Sequence, residues 1–250
     1  MMNLLAVVVV VYLGLCAALF FFQRSLIYFP QPSAAVSGTS TLVVPATGVR
    51  VVATARPHSG PKAVVYFGGN AEDVTHSLPS LAAAFPEHAI YLLHYRGFGG
   101  SAGQPSEAAL FADALALFDK VHADHPQIEV VGSSLGSGVA VYLASLRPIA
   151  RLVLVTPYDS LQEVAARQFR FFPVRWLLQD KFESWRYAPR VTSPTLLIEA
   201  EHDEVIPRAS TELLHTRFRT GLAAYHVIAG ASHNTVSESP QYIPLLKGLP

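Results

Sequence analysis

Apolar residues recur along the chain in three kinds of run, and each kind predicts a different element. The first is unbroken. Residues 2–22 carry no charge and almost no polar side chain, and as a helix they would measure roughly 30 Å, the thickness of bilayer hydrocarbon. The second kind is short, aliphatic and bounded by Gly, Pro, Asn or Asp, the signature of a buried strand. Residues 41–46, 49–56, 62–67, 89–95, 129–132, 150–156, 193–200 and 222–228 all read this way. The third is periodic. Between 105 and 124, Leu110, Ala114, Leu117, Phe118 and Val121 mark one face of a helix, with Glu107, Asp113, Asp119 and Lys120 on the other,. Residues 74–85 and 139–144 are helix-compatible as well. Strands alternating with helices predict an α/β domain with a mainly parallel sheet. The two runs flanking Thr47-Gly48 predict a hairpin, hence antiparallel pairing at one edge.

The alternation breaks twice, and the breaks set the expected organisation. Residues 25–40, rich in Pro, Ser, Ala and Gly beyond Phe29, read as a linker between an anchor at 1–24 and a domain at 41–250,. Residues 157–191 read as a small cap, in which Phe169, Phe171, Phe172, Trp176, Phe182, Trp185 and Tyr187 alternate with Arg167, Arg170, Arg175, Lys181 and Arg186. An insertion there covers the carboxyl ends of the strands, where α/β sheets bind ligands. No Lys or Arg precedes the first apolar run, and Phe20-Phe21-Phe22 stands where a cleavage site would need small residues. An uncleaved single-pass anchor is therefore expected rather than a signal peptide. Arg24 alone does not orient it.

Composition narrows the function classes. With 18 basic and 18 acidic residues in 250 and no basic cluster, nucleic-acid binding is not expected. The single Cys16 excludes an internal disulfide and a cysteine-based zinc site,. A mean hydropathy of +0.33 is high for a soluble enzyme, and the anchor accounts for part of it.

Candidate chemistry lies at strand ends. Gly132-Ser133-Ser134-Leu135-Gly136 joins a strand to a helix and fits the G-x-S-x-G elbow,. Ser134 would be its nucleophile, with the Leu135 N–H aimed at a developing oxyanion. Gly68-Gly69-Asn70-Ala71 follows an earlier strand, where Gly69 and Asn70 can turn their N–H groups inward; Asn70 is the preferred second donor. Asp203 and His233 each follow a later strand, and the order Ser, Asp, His suits this fold,. Asp159 is the reserve acid, and His202 reads as a neighbour of the acid. The Gly97–Gly100 region lacks a following Lys-Ser/Thr pair and reads as a structural loop,. His122 and His125 have no accompanying ligand set, so no metal is assigned,.

Together, Gly68-Gly69-Asn70-Ala71, Tyr95-Arg96-Gly97-Phe98-Gly99-Gly100-Ser101, the Ser134 elbow, Asp203 and Ser232-His233 resemble the α/β-hydrolase superfamily. The resemblance is strongest to its membrane-anchored single-domain branch, which includes protein depalmitoylases. It implies a mostly parallel eight-stranded sheet flanked by helices, with an antiparallel second strand. It also implies acyl transfer through a Ser134–His233–Asp203 triad, without cofactor or metal. One departure is visible: many relatives have His-Gly-Asn where this chain has Gly68-Gly69-Asn70. The expected partners are membrane lipid and a small-molecule or lipid-like acyl ester or thioester, or an acylated protein. Oligomeric state stays open. A serine peptidase of the same fold and a non-catalytic binding scaffold are the alternatives.

Overall fold

The computed structural model describes residues 3–248; Met2, the first residue of the expected span, lies outside them. Eight strands form one sheet: β1 (Ser40–Val44), β2 (Val51–Arg56), β3 (Lys62–Phe67), β4 (Ala89–Leu93), β5 (Gln127–Ser133), β6 (Arg151–Val155), β7 (Thr195–His202) and β8 (Ala223–Ser232). Their order is β1-β2-β4-β3-β5-β6-β7-β8. Strand β2 runs antiparallel to both of its neighbours, and every other pair is parallel. β3, β5 and β6 are buried along most of their length because helices cover both faces, which is why they read as nearly continuous apolar runs,.

The helices are α1 (Leu4–Ile27), α2 (Leu78–Ala84), α3 (Glu107–His122), α4 (Leu135–Ala144), α5 (Leu161–Gln168), α6 (Val174–Leu177), α7 (Ser184–Tyr187), α8 (Arg208–Arg217) and α9 (Tyr242–Lys247). Helix α3 starts where Ser106 caps the Ala109 N–H, and it buries the periodic face predicted for it,. Asp113 departs from that prediction. It is buried rather than solvated, because its carboxylate accepts both Arg96 donors at 2.8 Å,.

Strand β8 also differs from expectation. It runs on to Ser232, beyond the predicted end at Ile228, and a bulge opposite Glu201 absorbs the residues between Ile228 and Ser232. Glu201 accepts the Gly230 N–H at 2.8 Å across this bulge,. Pairing then resumes at His202 and Ser232, which sets the next residues, Asp203 and His233, side by side.

Helix α1 is long and apolar enough to cross a membrane. It continues past Arg24 to Ile27, and the residues after it are held against the domain. The Tyr28 hydroxyl donates to Asp180, the Phe29 N–H to the Asn70 carbonyl, and the Ala34 N–H to Asp73. The Gly99 N–H closes on the Gln31 carbonyl, giving the glycine-rich loop a structural task.

Candidate active site

Ser134 caps α4 at the carboxyl end of β5, with φ +48° and ψ −117°. A non-glycine residue holds such a backbone only where its surroundings impose it. Here they do. A Cβ at position 136 would lie 2.1 Å from the Phe67 carbonyl oxygen, so β3 and α4 approach closely only because residue 136 is glycine. The Ser134 N–H donates to the Val155 carbonyl at 2.9 Å, and the Ser137 hydroxyl donates to the Ser134 carbonyl at 2.7 Å.

The strand ends bring three residues expected far apart in sequence into one row. His233 Nε2 lies 3.0 Å from Ser134 Oγ, and His233 Nδ1 lies 2.9 and 2.8 Å from the two Asp203 oxygens. Asp203 Oδ1 also accepts the Val205 and Ile206 N–H groups at 2.9 and 2.7 Å, which fixes the carboxylate. The opposite end of the histidine is held too, for its backbone N–H donates to Glu204 at 3.2 Å. Asp159 is elsewhere: its carboxylate faces Arg217 at 3.5 Å, and burial raises its pKa against the lowering effect of that arginine. His202 is exposed, and its ring lies 3.8 Å from Glu201.

On the β3 side the two adjacent donors differ, and Asn70, the one preferred from sequence, is the one left free of a protein acceptor among the described residues. The Gly69 N–H does not turn inward; it donates to Glu72 Oε2 at 2.7 Å. The Asn70 N–H has no acceptor among the described residues, and Leu135, as the first residue of α4, offers an N–H without an intrahelical partner,. Asn70, Ser134 and Leu135 border the same cavity. Glu72 does more than hold Gly69, since it also accepts the Tyr66 and Ser77 hydroxyls at 2.8 and 2.6 Å. A side chain at position 68 would meet Val74 at 2.5 Å and Glu72 at 2.9 Å. Glycine at 68 and the carboxylate at 72 therefore form one solution for this loop, and a histidine at 68 would have to displace the Val74 and Glu72 side chains.

Two cavities meet at Ser134. One, of about 200 Å³, is lined by apolar side chains of the cap and of α1, among them Leu19, Leu26, Val164, Phe172 and Leu177. The other, of about 630 Å³, is lined by Tyr66, Glu72, Asp73, His76, Asn234 and further residues, with no lysine or arginine among the described residues. Burial acts to raise the Asp73 carboxyl, but the Ala34 and Thr75 donors outweigh it and hold the group below its usual value.

A mostly parallel eight-stranded sheet with this hydrogen-bonded row along its carboxyl edge defines an α/β hydrolase. Comparison with known proteins agrees: the chain belongs to the alpha/beta hydrolase fold family, whose pattern matches residues 57–184. It is 36% identical over 250 residues to an uncharacterized protein of Mycobacterium tuberculosis, covering 93% of this chain and 88% of that one. It is 28% identical over 218 residues to the lysophosphatidylserine lipase ABHD12 of Mus musculus, covering 74% of this chain and 54% of the lipase. Among solved structures, the Pyrococcus furiosus esterase Pf2001 superposes with a TM-score of 0.70 at 17% identity, covering 89% of this chain and 97% of the esterase.

Proposed function

We propose that the protein is a membrane-anchored serine hydrolase that cleaves an ester or thioester of a hydrophobic acyl group through an acyl-enzyme. The observation that carries the reading is the position of Ser134, 3.0 Å from His233 Nε2 and at the junction of an apolar and a polar cavity. Ser134 Oγ attacks the acyl carbon while its proton passes to His233 Nε2, and Asp203 stabilises the imidazolium. The Asn70 and Leu135 N–H groups, with the positive end of the α4 dipole, hold the oxyanion. His233 then gives its proton to the departing alkoxide or thiolate. A water attacks the acyl-enzyme, again losing a proton to His233, and Ser134 recovers its hydrogen as the acid leaves.

The polarity of the two cavities supports a placement for each half of the substrate. The acyl chain takes the apolar side, where burial contributes about 0.8 kcal/mol per methylene. The leaving group takes the polar side. Glu72 and Asp73 line it with no opposing lysine or arginine among the described residues, so a neutral or cationic alcohol suits it better than a phosphate. The mouse relative is named for a lysophospholipid, which supports a lipid-like ester and makes the head group the point of difference. The apolar faces of α1 that have no partner in the domain, including Leu5, Val10, Leu13 and Phe21, support placement of that helix in a bilayer. The test is kcat/KM of the full-length protein in detergent for acetyl, octanoyl and palmitoyl p-nitrophenyl esters below their aggregation limits. A rise of roughly tenfold per two added methylenes is expected until the cavity is full. A flat or falling series removes the hydrophobic acyl group from the proposal.

A further inference from the structure

The apolar cavity beside Ser134 is not enclosed by the globular domain alone. Tyr12, Cys16, Leu19, Gln23 and Leu26 follow one another at spacings of four and three residues, so they share one face of α1. That face is turned toward the cap. The Tyr12 ring stacks on Phe172 at 5.8 Å with an interplanar angle of 4°, and its hydroxyl donates to the Phe171 carbonyl at 2.9 Å. Cys16 is buried a turn further on.

Gln23 fixes the register of this contact. It is only 7% exposed, and an unpaired carboxamide so placed in an apolar helix would be costly. Both ends are used: Nε2 donates to the Phe20 and Leu177 carbonyls at 2.7 and 3.0 Å, and Oε1 accepts the Gln179 N–H at 2.6 Å. One residue later, Arg24 pairs with the buried Asp180 at 3.0 Å. An anchor serving only to tether the domain would need none of these bonds.

Leu19, Gln23, Leu26 and Ile27 line the same cavity as Ser134 and Leu135, facing Val164, Phe172 and Leu177 across it. Leu19 stands about 12 Å along the helix from Ile27. At the Ile27 end, the helix grips the proposed oxyanion donor. The Asn70 side-chain amide donates to the Ile27 carbonyl at 3.0 Å, and the Asn70 carbonyl accepts the Phe29 N–H at 2.9 Å. Resting on the serine-hydrolase reading above, we propose that α1 is one wall of the acyl-binding site and that Leu19 limits the length of acyl chain accepted. The same helix then anchors the protein and measures its substrate.

The test uses full-length protein in detergent. Leu19→Trp fills the far end of the cavity and is expected to lower the palmitoyl-to-acetyl ratio of kcat/KM at least tenfold. Leu13→Trp, on an exposed face of the helix, is expected to leave that ratio unchanged. A second measurement needs no variant. A long-chain alkyl fluorophosphonate bearing a terminal diazirine esterifies the active serine with loss of fluoride; on irradiation it loses dinitrogen and inserts into the nearest bond. An adduct within residues 19–27 is expected, and it decides the matter should the Leu19→Trp protein fail to fold. An active enzyme whose ratio is unchanged in Leu19→Trp, or whose photoadduct falls only outside α1, overturns the role of the helix and leaves the hydrolase reading standing. A wild-type protein that hydrolyses no ester defeats that reading, and this inference with it.

Discussion

On one side of Ser134 the wall consists of Leu135, Tyr158, Val164, Phe172 and a face of α1; on the other it consists of Tyr66, Glu72, Asp73, His76 and Asn234. The polar wall is held mostly by bonds within residues 66–77, with one tie to Ala34. Glu72 ties together Gly69, Tyr66 and Ser77, and Asp73 ties Thr75 and Ala34. Preorganised groups of this kind are where charge stabilisation is built, because little reorganisation is left for the reaction itself. The apolar wall is assembled from segments more than a hundred residues apart, α1 and the cap, joined by bonds such as that from Gln23 to Leu177. It ends in side chains that nothing in the domain covers, with Trp176 87% and Phe171 80% exposed. Changes on the polar side should therefore alter turnover for every substrate, and changes on the apolar side should alter the choice among acyl chains.

The sharpest way to break that division is at the acid. Asp203→Asn is expected to lower kcat by roughly 10⁴-fold, through the wrong histidine tautomer, while the palmitoyl-to-acetyl ratio stays constant. Asp159→Asn, whose carboxylate faces Arg217 rather than His233, is expected to change kcat less than about tenfold. Steady-state kinetics on the ester series checks both, and a reversal of the two would move the acid to Asp159.

Next in size is Glu72→Ala. It frees the Gly69 N–H and the Tyr66 and Ser77 hydroxyls, loosening the loop that presents Asn70. A loss in kcat of about ten- to a hundredfold is expected, below the 10²–10³ typical of deleting an oxyanion donor outright. KM should move little. An effect confined to KM would mean that Glu72 contacts the leaving group instead of holding the loop.

The smallest effect is expected at His94, which lines neither cavity. His94 is buried, with Nε2 2.8 Å from the Thr54 hydroxyl, and burial lowers its pKa from the ordinary value of 6.5 against the raising influence of Asp73. The unfolded chain therefore takes up a proton at a pH where the folded protein does not. The stability linked to His94 is present above pH 6.5 and is lost as pH falls, with a slope of at most about 1.4 kcal/mol per pH unit. Thermal unfolding from pH 7.5 to pH 5 should show a shallower loss in His94→Gln than in the wild type, with the acyl-chain ratio unaltered in both.

The same division explains what could be read from sequence. Ser134, Asp203 and His233 are legible because each directly follows a short apolar run, and a parallel sheet gathers such positions on one edge. The order of the strands is not encoded locally and was not read; family resemblance supplied only the mostly parallel eight-stranded sheet with its antiparallel second strand. Glu72 and Glu204 escaped notice because a carboxylate near a turn looks the same whether it faces water or a backbone N–H. The bulge in β8 escaped because Gly230 reads as a strand end. Helix α1 hid its working face inside a run that is apolar all round, where no period can show. Gln23, an amide at the end of that run and beside Arg24, was the one available signal that the helix packs on something polar.

The central claim is that Ser134 is a nucleophile activated by His233. It is tested most directly by treating the folded full-length protein with a fluorophosphonate probe and locating the adduct by mass spectrometry. A single adduct on Ser134 is predicted, absent in Ser134→Ala and formed much more slowly in Asp203→Asn. An adduct that persists in Ser134→Ala, or a folded wild-type protein that takes up no probe, would contradict the account.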